Sequence, residues 1–266
     1  MRRLLIALML CLIAACAVQA PEFAAVAAPP ANAQFDYQIA APYTPNAEVG
    51  IVNRDWRAQP VRGRYNICYM NAFQSQESDL TWWERKHPRL LLKKNGQPVV
   101  DEDWNEVLFD VSTKRKRKAL AKIVRKWTDS CASRGFDAVE FDNLDSYHRS
   151  RGRLKLRHNL AFARKITRHA HSAGLAVGQK NTPELGSRGK TVAGFDFAIA
   201  EECQRYLECD EYTQVFGDRV IEIEYTDYPY DVFSAACATR GSVISIILRD
   251  RFVSTAGDPE YRYESC

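Results

Sequence analysis

From Phe35 onward, short runs of alternating apolar and polar positions take turns with longer segments of helical period. Strands are predicted at Phe35–Ile39, Val49–Asn53, Tyr65–Asn71, Val107–Val111, Ala138–Asn143, Leu175–Asn181, Phe195–Ala200, Val220–Tyr225 and Val243–Leu248. Between the later ones lie helical patterns. Thr113–Arg134 carries Leu120, Ile123, Val124 and Trp127 at helical spacing, with Gly135 behind it as a C-cap. Leu154–Ala173 is closed by Gly174, and Asp231–Thr239 ends near Gly241. Repeated strand–helix–strand units call for a parallel sheet. Both an open doubly wound sheet and a closed barrel satisfy the pattern, but no Gly-rich phosphate loop follows the first strand, which argues against a dinucleotide-binding fold. The expected class is α/β, a (β/α)8 barrel of the TIM type. Nine candidates for eight places mean that one of them is wrong or additional.

Before Phe35 the pattern changes. Met1-Arg2-Arg3 is basic, and Leu4–Ala15 is an uncharged apolar run too short to span a bilayer but of the right length for a signal segment. Val18-Gln19-Ala20 and Ala31-Asn32-Ala33 fit small-residue cleavage sites. Ile13-Ala14-Ala15-Cys16 also fits a lipobox, in which Cys16 would carry a lipid anchor. Residues 17–33 are rich in Ala and Pro and read as linker or removed segment. The expectation is a secreted or periplasmic protein, with a lipoprotein as the alternative. Its 1–33 segment is signal and linker, and 34–266 is a single, monomeric barrel domain.

Six cysteines lie outside the signal: Cys68, Cys131, Cys203, Cys209, Cys237 and Cys266. An even number after export points to disulfides. The close spacing of Cys203 and Cys209 suits a local bridge. Cys68–Cys131 and Cys237–Cys266 are then one way of completing the set. Zinc is disfavoured because no CxxC pair or neighbouring His supports it. The formal net charge is +4, and losing residues 1–33 removes two arginines and one glutamate. So small a surplus argues against nucleic acid as a partner, and the basic run Lys114–Lys118 reads as a solvated helix face.

In a barrel the carboxyl ends of the strands converge on one mouth, which is the active site. Here those ends are rich in polar residues: Asp36 and Gln38, Asn53 and Asp55, Asn71 and Gln74, Asp110, then Glu140, Asp142, Asn143 and Asp145. Gln179, Lys180 and Asn181 follow, then Glu201 and Glu202, Glu224, Tyr225 and Asp227, and finally Arg249 and Asp250. The segment Asp137–Asp145 is the sharpest. Val139 and Phe141 share one face, suited to the outer helices, so Glu140 and Asp142 point inward. Buried carboxylates are costly unless paired or used. Alternation does not decide between Glu201 and Glu202. Two carboxylates on separate strands facing one mouth are what glycoside hydrolysis needs, one as nucleophile or base and one as acid. Glu140, Asp142, Glu201 and Glu224 are expected to open onto that mouth, with Lys180 beside them holding at least one ionised. Tyr43, Trp56, Trp82, Trp83 and Tyr147 lie near strand ends, where aromatic rings could stack on sugars, although ordinary packing accounts for each.

These residues also carry a family resemblance. Phe35-Asp36-Tyr37-Gln38-Ile39, Asn66-Ile67-Cys68-Tyr69, the run from Gly135 to Asp145, Gly178-Gln179-Lys180-Asn181 and Phe195–Cys203 resemble glycoside hydrolase family 114, and Arg205–Cys209 and Val220–Tyr225 extend the match. The resemblance implies an endo-α-1,4-polygalactosaminidase on a (β/α)8 barrel. Its substrate would be an α-1,4-linked galactosamine polymer, partly N-acetylated. It implies Asp142, in the Asp-Asn-x-Asp run, and Glu201, before Glu-Cys, as the catalytic pair, with retention of configuration. Asp36, Gln38, Glu140, Asn143, Asp145, Lys180, Asn181, Glu202, Glu224 and Tyr225 would contact substrate, without cofactor or metal. Phe141 stands where the family commonly has Pro, and Ala200 where it often has Asn. A polymer with free amines is cationic, and the strand-end residues are mostly acidic, which fits it. Two other readings remain at this point: a metal-dependent polysaccharide deacetylase or phosphodiesterase with oxygen ligands around Asp142, and a non-catalytic exopolysaccharide-binding barrel.

Overall fold

The structure is a computed structural model and describes residues 26–266. The proposed signal run and the lipid-anchor site at Cys16 lie outside the described residues. Eight parallel strands follow one another around a ring: β1 (Phe35–Gln38), β2 (Ile51–Asp55), β3 (Tyr65–Asn71), β4 (Ala138–Asp142), β5 (Ala176–Lys180), β6 (Phe197–Glu201), β7 (Val220–Tyr225) and β8 (Ser245–Arg249). A ninth strand, β9 (Tyr263–Ser265), runs antiparallel to β8. It sits at the seam, where the Tyr263 hydroxyl donates to the Phe35 carbonyl. The buried Arg249 guanidinium closes the same seam by donating to the carbonyls of Tyr37, Arg262 and Ser254.

Eight of the nine predicted strands are these. The one that does not belong is Val107–Val111: the strand there is Glu106–Leu108, and it joins Gln74–Ser75 and Val100–Asp101 in a small antiparallel sheet inserted between β3 and β4. An alternating pattern marks a half-buried strand but not the sheet it joins.

The helices lie outside the ring. The longer ones are α1 (Leu80–Lys86) in the insertion, α2 (Lys114–Arg134) after it, α3 (Leu156–Ser172) after β4, α4 (Cys209–Phe216) after β6 and α5 (Tyr230–Arg240) after β7, and a single helical turn, Ser146–Arg149, precedes α3. The side chain of Thr113 caps the N-terminus of α2 by accepting from the Lys116 amide. Gly135, at φ 88°, ends the helix in the left-handed region that a Cβ disfavours. Loops alone follow β1 and β2, and only short turns at Pro183–Leu185 and Gly189–Ala193 follow β5.

Residues 26–33 of the segment read as linker or removed lie against the barrel in this structure. The Tyr65 hydroxyl donates to the Ala27 carbonyl, Arg219 to that of Pro29, and Ser245 to that of Ala33. Three bridges, Cys68–Cys131, Cys203–Cys209 and Cys237–Cys266, tie β3 to α2, close the loop before α4, and pin the C-terminus to α5.

Two apolar layers result. Val139, Phe141, Met70, Val177 and Ala198 face the helices, while Phe35, Ile67, Ala138, Ala176, Phe197, Ile199 and Ile223 fill the barrel interior. Gly178 belongs to the interior. A Cβ there would lie 2.9 Å from the buried ring of Phe197. Gly178→Ala is therefore expected to cost about 1–3 kcal/mol through overpacking, read as a lower midpoint in denaturant unfolding with an unchanged slope.

Candidate active site

Alternation along β4 sends Glu140 and Asp142 into the barrel, while Val139 and Phe141 pack outward. On β5 the same parity brings Ala176, Gly178 and Lys180 inward, and on β6 Phe197, Ile199 and Glu201. Lys180, 2% exposed, is the hub. Its ammonium lies 2.9 Å from Glu140 Oε1 and 3.4 Å from both Asp142 Oδ1 and Glu201 Oε2. Burial works against its charge, but the carboxylates of Asp142, Glu140 and Glu201 outweigh it and hold the lysine well above its usual pKa.

Each carboxylate has its own setting. Glu140 is fully buried below the lysine and accepts from Tyr37 Oη, Asn53 Nδ2 and Lys180 Nζ. Asp142 accepts from Tyr69 Oη at 2.7 Å and from the Asn143 amide at 2.6 Å. Glu201 accepts from Asn181 Nδ2 at 2.9 Å and Tyr225 Oη at 2.5 Å. Burial, and then the nearby carboxylates, raises the phenols of Tyr37, Tyr69 and Tyr225, so all three stay protonated and donate. Side-chain exposure separates the roles: 0% for Glu140, 17% for Asp142 and 22% for Glu201. The last two are the carboxylates that can meet a ligand. They cannot be farther apart than twice 3.4 Å, because both touch one ammonium.

Asp142, Lys180 and Glu201 form the floor of a cavity of about 320 Å³. Asn143, Asp145, Asn181, Glu202 and Tyr225 line it. Asp145 forms a two-armed pair with Arg149, and Glu202 pairs with Arg251 at 2.6 Å. Asn143, Asn181 and Glu202 all have φ between 46° and 63°, so the chain turns sharply at the strand ends and presents backbone and side chains together.

Four predicted contact residues do not reach the cavity. Glu140 opens onto no mouth, being sealed beneath Lys180. Asp36 and Gln38 point out of the barrel, because on β1 the aromatic residues Phe35 and Tyr37 take the interior. Outside, Asp36 accepts from Gln38 and Tyr43, and Gln38 accepts from Arg54. Glu224 likewise faces outward beside Glu222, because Ile221, Ile223 and Tyr225 fill the interior parity. It accepts from the Gln204 amide and so holds the loop closed by Cys203–Cys209. Asp110 pairs with Lys116 beside the start of α2 instead of ending a barrel strand.

None of the five candidate aromatics lines the cavity. Trp56 stacks on Trp127, Trp83 is buried against Phe109, and Tyr43 and Tyr147 donate to Asp36 and Glu184. Trp104, 50% exposed, is the tryptophan at the rim. It and Glu106 come from the inserted sheet, which assignment of Val107–Val111 to the barrel hides. Tyr69, Arg149 and Arg251 are also cavity residues that the sequence reading misses; alternation along β3 was the available signal for Tyr69.

The fold has solved counterparts. Ega3 of Aspergillus fumigatus, whose structure holds galactosamine, superposes with a TM-score of 0.68 at 20% identity over 91% of this chain and 97% of that one. The glycoside hydrolase domain of PelA from Pseudomonas aeruginosa superposes with a TM-score of 0.60 at 14% identity over 86% of this chain and 97% of its own. Both likenesses are of fold. No curated protein matches the sequence. The profile of Glycoside-hydrolase family GH114 matches residues 17–266, nearly the whole chain, and the chain accordingly belongs to that family.

Proposed function

We propose that this glycoside hydrolase is an exported, endo-acting enzyme that cleaves α-1,4-linked galactosamine polymers, partly N-acetylated, with retention of configuration. The observation that carries the reading is the pair Asp142 and Glu201, each partly open to the cavity and each 3.4 Å from the same ammonium. A retaining pair stands roughly 5–5.5 Å apart, and an inverting pair roughly 6.5–9.5 Å. Because each has an oxygen 3.4 Å from the same ammonium, those two oxygens stand no farther apart than the lower end of the inverting range, which favours the retaining arrangement. Asp142, on a strand end and fixed by Tyr69 and the Asn143 amide, attacks the anomeric carbon. Glu201 protonates the leaving oxygen and then takes a proton from the incoming water.

Galactosamine in the Ega3 structure supports the substrate class, as does the acidic cavity. Three disulfides support export to an oxidising compartment. The metal-dependent alternative is weaker for a physical reason: the position a hard cation would take among Glu140, Asp142 and Glu201 is filled by the Lys180 ammonium. The deciding experiment incubates purified protein with α-1,4-galactosaminogalactan. Mass spectrometry should show released oligomers, and proton NMR should show the α-anomer formed first. Binding without release of oligomers would refute the reading, and first formation of the β-anomer would refute the retaining assignment.

A further inference from the structure

Cavity carboxylates in this protein come with cations. Asp142 and Glu201 share Lys180, Asp101 and Asp145 share Arg149, and Glu202 has Arg251. Asp103 stands exposed, where water solvates it. Glu106 is different. It is largely shielded from solvent in the wall made by the inserted sheet, and among the described residues no Lys, Arg or His reaches it. Its donors are neutral amides: Asn71 Nδ2 at 2.6 Å, Gln74 Nε2 at 3.0 Å and Asn143 Nδ2 at 3.4 Å. All three converge on one oxygen, Oε2. No donor among the described residues reaches Oε1, although the residue lines the cavity.

A partly buried carboxylate fixed through one oxygen, with its other oxygen on the cavity side and no cation beside it among the described residues, suits a small cationic hydrogen-bond donor that arrives through the cavity. We infer that Glu106 Oε1 is the binding site for the 2-ammonium group of a deacetylated galactosamine unit, which makes Glu106 a determinant of acetylation preference. The inference rests on the galactosamine-polymer reading of the same cavity. An N-acetyl group at that position brings no positive charge and adds bulk, so it forgoes the pair. Three amides holding Oε2 fix the direction in which Oε1 points, which is how a single carboxylate can discriminate by position as well as charge.

Burial pushes the Glu106 carboxyl up to about 7, with Asp142 and Asp101 adding to the push and the Gln74 and Asn71 amides opposing it. Pairing with an ammonium requires the ionised form. Preference for deacetylated units should therefore rise as the pH climbs through about 7, and fall again once the sugar amine loses its own proton.

The test compares wild type and Glu106→Gln on two defined substrates, fully deacetylated and fully N-acetylated α-1,4 oligomers of equal length. Loss of one charge-assisted hydrogen bond should lower kcat/KM on the deacetylated oligomer about tenfold to a hundredfold, mostly through KM. Activity on the acetylated oligomer should stay within about twofold, as for a loss of uniform binding to a group the acetylated substrate lacks. The rising limb of the wild-type preference near neutral pH should vanish in the variant. An equal fall on both oligomers, or no fall on the deacetylated one, would overturn the inference. Should the Gln variant melt early, the wild-type pH profile on the two oligomers carries the same comparison: a preference for the deacetylated oligomer that does not rise through about pH 7 would overturn the inference. If wild type cleaves neither oligomer, the polymer reading itself is what has failed.

Discussion

Replacing Asp142 by Asn, or Glu201 by Gln, should lower turnover by about ten-thousandfold while leaving thermal stability and polymer binding close to wild type. Both substitutions keep shape and most hydrogen bonds. Tyr69 Oη can still donate to the Asn carbonyl, and Asn181 Nδ2 and Tyr225 Oη to that of Gln. Lys180 keeps Glu140 and one of the other two carboxylates, so no buried charge is stranded. What disappears is the chemistry. An amide at 142 cannot attack, and one at 201 cannot exchange a proton. The two losses can be told apart by substrate. A fluoride or nitrophenyl leaving group needs no acid, so Glu201→Gln should form the covalent intermediate from it and stall, whereas Asp142→Asn should form none. Azide should then rescue the Glu201 variant with retained configuration. Near-normal activity in both variants would remove the pair from the mechanism, and Asp145 and Glu202 would be tested next.

The strand periodicity of this chain was legible because a barrel demands it, and β4 shows how far that carries. Carboxylates alternate with Val139 and Phe141, and since α2 and α3 cover the outside with apolar residues, the acids must turn inward. The same alternation on β1 has the opposite sense. No helix follows that strand, and polar partners lie outside it instead, so Asp36 and Gln38 face outward to Tyr43, Arg54 and Arg249 and the aromatics take the interior. On β7, too, Glu222 and Glu224 face outward, although a helix covers them, and Arg240 of α5 reaches across to Glu222. Alternation fixes which residues share a face. What covers each face decides which one is inside, and for β1 and β7 that depends on elements distant in sequence. Glu106 escaped notice for a related reason: its strand pairs with Gln74–Ser75 and Val100–Asp101, and only that pairing folds the insertion over the mouth.

Lys180→Met should be the most damaging single change to the folded state, and its damage should grow with pH. The ammonium is 2% exposed and lies between three carboxylates, of which Glu140 is wholly buried. Methionine fills much of the same volume but leaves Glu140 without a cation, a loss of about 3–5 kcal/mol for a broken buried pair. Glu140 can escape part of this by taking up a proton. Burial already pushes its carboxyl up to about 7 while the ammonium pulls against it, and removing the ammonium pushes it higher. In the unfolded chain the same group titrates near about 4.3. A carboxyl whose folded pKa is raised binds more protons folded than unfolded between those two values, so it loses stability as pH rises across them. Wild type shares that loss up to about pH 7, so the melting temperature of the variant should trail that of wild type by a steady margin up to about pH 7 and fall progressively farther behind above it. Adding Glu140→Gln should restore most of the stability, because no buried charge then remains below the floor. It should not restore catalysis. Asp142 and Glu201 would still face each other, but without the ammonium that lies 3.4 Å from each and offsets their like charges. A pH-independent gap in melting temperature would show that Lys180 supports the barrel by packing alone. Recovery of activity in the double variant would show that its charge takes no part in poising the catalytic pair.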